Sequence, residues 1–297
     1  MKINNIFGIV SSILSATQNV LGDSINNTSI TSPSNNDIAV NNTNLLLANS
    51  SQTYNPMMVS SLDNSTTTFI KSAIQEHKKY HQGINISKWQ GKINAKLVQD
   101  DDIKLAIIRA TEGATYQDPK FEEYWGIFSN TTVKQAAYHN FRALSSTPEE
   151  QLQNINTQLQ AVGFNRHNDA LAISLPSQGN EKATPDQMSD GLNTLLILLK
   201  SAGYKHLYIN TNNNEWTTHV NSDKYDFGEY NLWISHYTHA ESPIIPSSWK
   251  NWDWWQYSCS EHIKGIPSNA VCMNYIDHND VTVATIGDAD NVGGDNV

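Results

Sequence analysis

The chain has 297 residues, enough for one large α/β domain with an extension. Residues 1–80 hold equal numbers of basic and acidic residues, so the whole formal charge of −10 belongs to residues 81–297. An acidic body argues against nucleic acid and anionic membrane surfaces as partners. Because no apolar run approaches the ~18–20 residues of a transmembrane helix, we also expect no membrane-spanning segment.

Three segments are predicted to lie outside the folded body. In residues 1–21, apolar residues recur at helical spacing opposite Asn, Ser and Gln, which indicates an amphipathic leader. A cleaved secretory signal peptide is the alternative, and either one predicts a secreted or exported protein. Residues 22–80 are rich in Asn, Ser and Thr, the composition of a largely disordered linker. Residues 281–297, rich in Gly and Asp, are predicted to form a flexible acidic tail.

The predicted domain, residues 81–280, opens with the stretch GINISKWQG. Its alternating pattern predicts a strand in which Ile84 and Ile86 face one side and Asn85 faces the other. Further strands are predicted at residues 105–113, 135–143, 170–176, 206–211, 231–238, 254–258 and 270–275, with helices at 148–162 and 185–202. Strands alternate with helices early and follow one another closely late, which predicts an α/β fold, a parallel barrel with an irregular closing hairpin.

Only two cysteines occur, Cys259 and Cys272, which excludes a disulfide framework. Two buried free thiols are the simpler interpretation, and a bond across two adjacent strands is the alternative. No zinc-type spacing accompanies either residue.

The first strand resembles that of the family 25 glycoside hydrolases, the lysozyme-like muramidases, whose pattern is G-[IV]-D-[VI]-S-x-W-Q-G. Four later blocks resemble that family in the same order: RATEG from Arg109, the strand around Tyr138, LWISHYT from Leu232, and WWQYS from Trp254 followed by Asn274. The resemblance covers roughly residues 83–276. It implies a flattened, irregular TIM-like (β/α) barrel whose cleft lies at the carboxyl ends of the strands.

The catalytic acids that the resemblance implies are missing. They are an Asp on the first strand, an Asp-x-Glu on the fourth and an Asp on the last, and those positions hold Asn85, Ser174 with Pro176, and Cys272. Cleavage of a glycosidic bond needs a carboxylic acid to protonate the leaving oxygen and a second group to stabilise the oxocarbenium-like centre. None of these side chains is such an acid. The sequence therefore predicts a degenerate, catalytically inactive member.

Two other acids are candidates to take over the reaction. Glu112 ends the second strand. The resemblance implies that family members also have a Glu at this position, beside their catalytic acids, so we expect a structural role for Glu112. Glu181 lies in the loop after the fourth strand, where a solvated charge is the usual case. An active muramidase with displaced acids is the alternative to an inactive one.

The residues of a sugar cleft are retained, because rings stack on sugar faces and amides bind hydroxyl and acetamido groups. The predicted substrate-binding residues are Asn85, Tyr138, Trp233, His236, Tyr237, Trp255, Gln256, Tyr257 and Asn274. Packing roles are the alternative for the aromatic members. These residues imply binding of peptidoglycan or a chitin-like glycan, while a third hypothesis is a protein-binding effector that kept only the barrel. We expect a monomer without a cofactor. We also expect no metal site, because His139 and His236 have no third ligand at metal spacing.

Overall fold

The computed structural model describes residues 80–238, 240–280 and 282. Over these residues eight strands form a closed barrel, with one further two-residue strand at its edge. The strands are β1 (Tyr80–Ile86), β2 (Ile103–Glu112), β3 (Tyr116–Gln117), β4 (Lys134–Asn140), β5 (Ala170–Ser174), β6 (His206–Thr211), β7 (Asn231–Ser235), β8 (Trp254–Glu261) and β9 (Val271–Asp277).

The strands of the barrel are parallel except the last. Pairing is parallel from β1 through β2, β4, β5, β6 and β7 to β8. Strand β9 runs antiparallel between β8 and β1 and closes the barrel, while β3 pairs antiparallel with β2 outside it. The predicted α/β barrel with an irregular closing hairpin is therefore confirmed.

Helices cover the outside of the barrel, and two of them begin at strong caps. The described α-helices are α1 (Ala95–Asp100), α2 (Phe121–Phe128), α3 (Pro148–Ala161), α4 (Pro185–Ser201) and α5 (Asn213–His219). Helices α3 and α4 each start with Pro, preceded by a capping Thr. The Thr side chain accepts a hydrogen bond from the backbone N–H three residues later, and the side chain of that later residue accepts one from the Thr backbone N–H. These capping boxes fix where the loops after β4 and β5 end.

Alternate residues of each strand face the helices or the barrel interior. Ile84 and Ile86 belong to the outer core, as their spacing predicts. The interior core consists of Leu105, Ile107, Ala136, Ala170, Ala172, Tyr208, Trp233, Trp254 and Ile276. Because these side chains are buried, the barrel is packed solid and any binding site must lie at one of its ends.

Several predictions fall on parts of the chain that are not described. The predicted leader, residues 1–21, the linker apart from Tyr80, and the tail apart from Thr282 lie outside the described residues. Strand β1 begins at Tyr80, one residue before the predicted domain boundary. No helix within residues 80–238, 240–280 and 282 is both long and apolar enough to cross a bilayer.

Candidate functional site

Polar side chains gather at the end of the barrel where the parallel strands finish. Leu105 and Ile107 of β2 face the interior, so Arg109 faces the same way. The same alternation brings a set of interior-facing residues to this end, which we call the cleft: Asn85, Arg109, Tyr138, Ser174, Asn210, Trp233, Ser235, Gln256 and Asn274. The functional sites of βα barrels lie at this end.

Three predicted cleft residues form one hydrogen-bonded chain. Trp233 Nε1 donates to Asn274 Oδ1 at 2.8 Å, and Asn274 Nδ2 donates to Asn85 Oδ1 at 3.0 Å. Asn274 and Trp233 are buried, whereas Asn85 is half-buried. The position at which the resemblance implies the first-strand Asp is therefore a neutral amide, fixed by a second amide beneath it.

A second network surrounds the fourth-strand position. Ser174 Oγ donates to Asn210 Oδ1 at 2.8 Å, and Asn210 Nδ2 donates to Ser235 Oγ at 3.1 Å and to the carbonyl oxygen of Trp233 at 3.0 Å. The hydroxyl proton of Ser174 is thus already engaged with Asn210. Pro176, two residues later, has no side-chain donor at all.

Tyr138 stands on the inner face of β4 against the ring of Trp233. The ring centroids are 5.9 Å apart with an interplanar angle of 78°, an edge-to-face contact. Burial raises the pKa of the Tyr138 hydroxyl far above its ordinary value, and nearby Arg109 only partly opposes this. The phenol therefore stays protonated and can donate a hydrogen bond. Since Trp233 is 1% exposed, it forms the floor under Tyr138 and offers no open ring face.

Glu112 is bound by two arginines beside the cleft. Arg142 Nε donates to Glu112 Oε1 at 3.1 Å, and the Nη2 atoms of Arg109 and Arg142 bind the two carboxylate oxygens. Burial acts against the charge, but the hydrogen bond and charge of Arg142, with the charge of Arg109, outweigh it and lower the pKa of Glu112. An ionised, doubly paired carboxylate is no proton donor, which agrees with the predicted structural role.

The two cysteines form a disulfide between β8 and β9. This corrects the expectation of two free thiols. Cys272 lies directly opposite Asn85 in the β1–β9 ladder, so the bond occupies the position at which the resemblance implies the last Asp. The sequence could not decide this pairing, because it depends on two register shifts in the β8–β9 ladder.

Two predicted binding residues contact this disulfide. The hydroxyl of Tyr237 lies 3.1 Å from Cys259 Sγ, and Gln256 Nε2 donates to the same sulfur at 3.2 Å and to the Tyr237 hydroxyl. Gln256 is buried, whereas Tyr237 is 61% exposed in the loop that follows β7. Tyr237 therefore stands at the rim of the cleft with its hydroxyl held by β8.

Trp255 and Tyr257 point away from the cleft, contrary to the sequence prediction. They alternate along β8 with the inward-facing Trp254, so they face the outer layer. Trp255 Nε1 donates to the carbonyl oxygen of His236 at 2.8 Å, and Tyr257 stacks on Tyr275 with ring centroids 4.1 Å apart. Both have the packing role that the sequence left open for aromatic residues.

The two histidines are fixed by hydrogen bonds. His236 Nδ1 accepts from the backbone N–H of Ile244 at 3.0 Å, which shapes the loop after β7. His139 is fully buried, with Thr111 Oγ1 2.7 Å from Nδ1 and Gln151 Oε1 3.0 Å from Nε2. Burial lowers the pKa of His139 to about 4, so the ring is neutral. Within the described residues no group of three His, Cys, Asp or Glu side chains is placed to hold a metal.

A small pocket of about 100 Å³ adjoins the fourth-strand position. Pro176, Glu181, Glu215 and His219 contribute to its lining. Hydrogen bonds from backbone N–H groups of Gly179 and of Glu181 itself lower the pKa of Glu181. This carboxylate is ionised and exposed, so it is a poor proton donor. Glu215 lies 3.8 Å from His219, one turn further along α5.

Four residues at this end were not predicted as site residues, and Arg109 is one of them. Asn210 and Ser235 lie within two predicted strands and face inward near the ends of β6 and β7, so the alternation in the sequence could have identified them. Trp89 follows β1 and is 73% exposed, with Lys88 Nζ 4.8 Å from its ring centroid. The sequence gives no sign of this exposure, because a Trp after a buried strand is more often part of the core.

The family model of the glycosyl hydrolases family 25 matches residues 84–266, more than half of the chain. The chain belongs to glycosyl hydrolases family 25. The resemblance drawn from the strand motifs is thereby confirmed.

Relatives in family 25 include proteins named as lysozymes. The chain is 27% identical over 191 residues to Lysozyme M1 of Streptomyces globisporus, a match that covers 62% of this chain and 64% of that protein. It is 26% identical over 193 residues to the autolytic lysozyme of Clostridium acetobutylicum, covering 64% of this chain and 54% of that one. The chain thus spans just under two thirds of the first protein and about half of the second.

The barrel also resembles solved structures. A bacterial lysozyme from Streptomyces coelicolor superposes with a TM-score of 0.59 at 27% identity, over 66% of this chain and 91% of that one. A family 25 lysozyme from Aspergillus fumigatus gives a TM-score of 0.56 at 20% identity, which indicates the shared fold alone.

Within this family 25 barrel, the cleft offers neutral hydrogen-bonding groups. Amides, hydroxyls, a phenol and a disulfide stand at the strand ends, while the one arginine among them is paired with Glu112. Such groups can bind sugar hydroxyl and acetamido groups, but they do not supply a proton in the way a carboxylic acid does.

Proposed function

We propose that this family 25 barrel binds an N-acetylated glycan, peptidoglycan or a chitin-like chain, without cleaving it. The observation that carries the proposal is the neutral occupancy of three strand-end positions, by Asn85, Ser174 and the disulfide of Cys272. At each of them the side chain is already held in a hydrogen-bonded or covalent arrangement.

The chemistry of hydrolysis supports inactivity. The leaving oxygen needs a proton from a carboxylic acid whose pKa lies near the working pH, and this general acid step alone contributes about 10²–10⁴-fold. Glu112 and Glu181 both have lowered pKa values, the wrong direction for an acid catalyst. Loss of a charged group that stabilises the oxocarbenium-like centre removes a further large factor.

The cleft lining supports a sugar as the ligand. Asn85 and Gln256 are amides that can pair with acetamido groups, and Tyr138 presents a protonated phenol above the Trp233 floor. The exposed ring of Tyr237 stands at the rim and can stack on a sugar face. Relatives named as lysozymes favour a peptidoglycan-type glycan over other polysaccharides.

We further propose that the protein acts outside the cytoplasm as a monomer. Disulfides persist in oxidising compartments, so the Cys259–Cys272 bond favours export. The proposed ligand also favours export, because peptidoglycan lies outside the cell membrane.

Calorimetry with chitooligosaccharides and with soluble muropeptides tests the binding. We expect a dissociation constant of about 0.1–1 mM for at least one of them. Tyr138→Phe, which removes a single donor, should weaken binding about 3–10-fold. The matched control is Tyr257→Phe, on the outer face of β8, which should leave affinity unchanged. Absence of binding to either sugar at millimolar concentration would refute the glycan proposal and leave a protein-binding scaffold.

An active enzyme with a displaced acid is the second candidate, and one observation favours it. The pocket beside Pro176 contains two carboxylates, Glu181 and Glu215. Release of reducing ends from peptidoglycan that is abolished by Glu215→Gln or Glu181→Gln would establish this candidate and overturn the inactive one.

A further inference from the structure

We propose that the Cys259–Cys272 disulfide positions the glycan-contacting rim of the cleft, so that its reduction weakens glycan binding while the barrel stays folded. The proposal rests on the glycan-binding function above, and it assigns to the bond a role in the same site. Three features carry it: the place of the bond, its contacts and its accessibility.

The bond stands in the wall of the cleft. Cys272 pairs with Asn85 across the β1–β9 ladder, and Asn85 is one end of the amide chain that leads to Trp233. Cys259 lies on β8, three residues after Gln256, where the ladder to β9 is twice out of register. Because bulges weaken local pairing, the covalent bond reinforces this part of β8 against β9, between the Ser258–Met273 and Glu261–Val271 pairs.

The sulfur of Cys259 is also a hydrogen-bond partner for Gln256 of the cleft and for Tyr237 at its rim. It receives contacts from the Tyr237 hydroxyl at 3.1 Å and from Gln256 Nε2 at 3.2 Å, and Gln256 also donates to the Tyr237 hydroxyl. These three groups form a closed triangle. Tyr237 is 61% exposed, so few other contacts restrain its ring. Displacement of the sulfur would therefore release the ring that is proposed to stack on sugar.

Both cysteines are half-buried, so a small thiol can reach the bond. A thiolate of a dithiol reductant attacks the sulfur of one cysteine, which forms a mixed disulfide and releases the other cysteine as a thiolate. The second thiol of the reductant then attacks the reductant's own sulfur in the mixed disulfide and releases the first cysteine. Two electrons and two protons pass to the protein, which gains two thiols, and the reductant leaves as a cyclic disulfide. An oxidant of the thiol–disulfide class reverses the step.

The barrel does not depend on the bond for its closure. Strand β9 pairs with β1 at six positions and with β8 at five, and Met273 and Ile276 are buried in the core. Reduction is therefore expected to loosen the rim and leave the remaining strands in place.

The test compares glycan affinity before and after treatment with a dithiol. The chain has no other cysteine, so the reagent acts at one site. Reduction should weaken chitooligosaccharide or muropeptide binding by about tenfold, the loss of one or two hydrogen bonds, and reoxidation should restore it. In a Cys259→Ala/Cys272→Ala variant the dithiol should change nothing. In Tyr237→Phe, which lacks the hydroxyl of the triangle, reduction should cost less than threefold.

Equal affinity of the oxidised and reduced protein would overturn the proposal. So would an undiminished effect of reduction in Tyr237→Phe, because the bond would then act by another route. A readout without ligand separates failure of this proposal from failure of the glycan function. The side-chain amide NMR signals of Gln256 should shift on reduction, while those of the distant, buried Gln151 should not. If oxidised protein binds no sugar, the glycan function falls, and an unshifted Gln256 signal would then reject the positioning role as well.

Discussion

The two ends of the barrel differ in how their carboxyl groups are held. At the end where the parallel strands finish, the positions of the family's acids hold an amide, a hydroxyl and a disulfide, and Glu112 beside them is paired with two arginines. At the opposite end, Asp253, Asp277 and Asp280 line a cavity of about 380 Å³. Burial, with the charges of Asp280 and Asp277, raises the pKa of Asp253 to about 6, against one opposing backbone hydrogen bond.

A carboxyl group with a raised pKa therefore does not by itself locate a catalytic site. A pKa near 6 is what a glycosidase acid needs, yet here it occurs at the end opposite to the cleft. Asp253 Oδ2 accepts from the backbone N–H of Leu232 at 2.7 Å, and Asp280 Oδ2 accepts from the Tyr208 hydroxyl at 2.8 Å. These acids close the base of the packed interior. Burial raises the pKa of both Asp253 and Asp280, and repulsion from neighbouring carboxylates adds to it at Asp253.

The residue that joins the two ends should have the largest effect when it is truncated. Trp233 contacts Tyr138 on the cleft side and Trp254 on the other side, and it is 1% exposed. Trp233→Ala should lower the free energy of unfolding by about 3–5 kcal/mol because it leaves a large cavity. The control is Trp89→Ala, at a 73% exposed position, which should change stability by less than about 0.5 kcal/mol. Similar losses for both variants in denaturant unfolding would contradict the buried-floor assignment.

Removal of the disulfide at the cleft end should have the next largest effect on the free energy of unfolding. The bond joins residues 13 apart in sequence, and closure of a loop of that size contributes about 2–3 kcal/mol. Cys259→Ser/Cys272→Ser should lose that amount in urea unfolding, and so should the wild type in a dithiol. A variant as stable as the oxidised wild type would contradict the stabilisation expected from loop closure.

Replacement of Asp253, at the end opposite to the cleft, should alter how the free energy of unfolding depends on pH. The folded-state pKa of about 6 exceeds the ~3.9 of an unfolded chain, so the folded state binds more protons between these values. The stability from this group is fully present below pH ~4 and is lost as the pH rises through 6, on the order of 2 kcal/mol in all.

Asp253→Asn keeps an oxygen for the Leu232 N–H and should remove that loss. The comparison is the change in unfolding free energy from pH 4.5 to pH 7.5 in the two proteins. His139, whose lowered pKa makes stability rise over part of this range, is common to both and cancels in the difference. Parallel pH profiles for wild type and variant would show that Asp253 is not buried as described.

Return of single acids to the cleft should have the smallest effects, and unequal ones. Asp at position 85 can still accept from Asn274 Nδ2, so Asn85→Asp should cost less than about 1 kcal/mol. Ser174→Asp removes the hydroxyl that donates to Asn210 Oδ1 and places a carboxylate beside that oxygen, which repels it. This variant should therefore lower the free energy of unfolding by about 1–2 kcal/mol. Ser174→Ala separates the lost bond from the added charge. A larger penalty for Asn85→Asp than for Ser174→Asp would reverse the hydrogen-bond directions assigned here.

The sequence predicted the barrel well because its signals are local. Alternation placed Asn85 opposite to Ile84 and Ile86, and Thr184 before Pro185 marked the start of α4. Those features depend on the residues of one element, so no knowledge of the partner elements was needed.

The site was less predictable because it depends on how elements meet. Trp255 and Tyr257 were assigned to the cleft, although the same alternation turns both to the outer layer once Trp254 is known to face inward. The disulfide depends on the register of two strands, and the paired state of Glu112 depends on Arg142 from the next strand's loop. Such relations between distant residues leave no periodic trace in a single sequence.

We propose that the cleft binds a glycan and lacks an acid that could cleave it. Incubation of the wild-type protein with purified, insoluble peptidoglycan tests both halves in one sample, by measuring protein in the pellet and new reducing ends in the supernatant. The account predicts that protein sediments with the peptidoglycan and that reducing ends stay at the level of a protein-free control. Reducing ends that accumulate with the wild type and fail to do so with Glu112→Gln, Glu181→Gln or Glu215→Gln would contradict it.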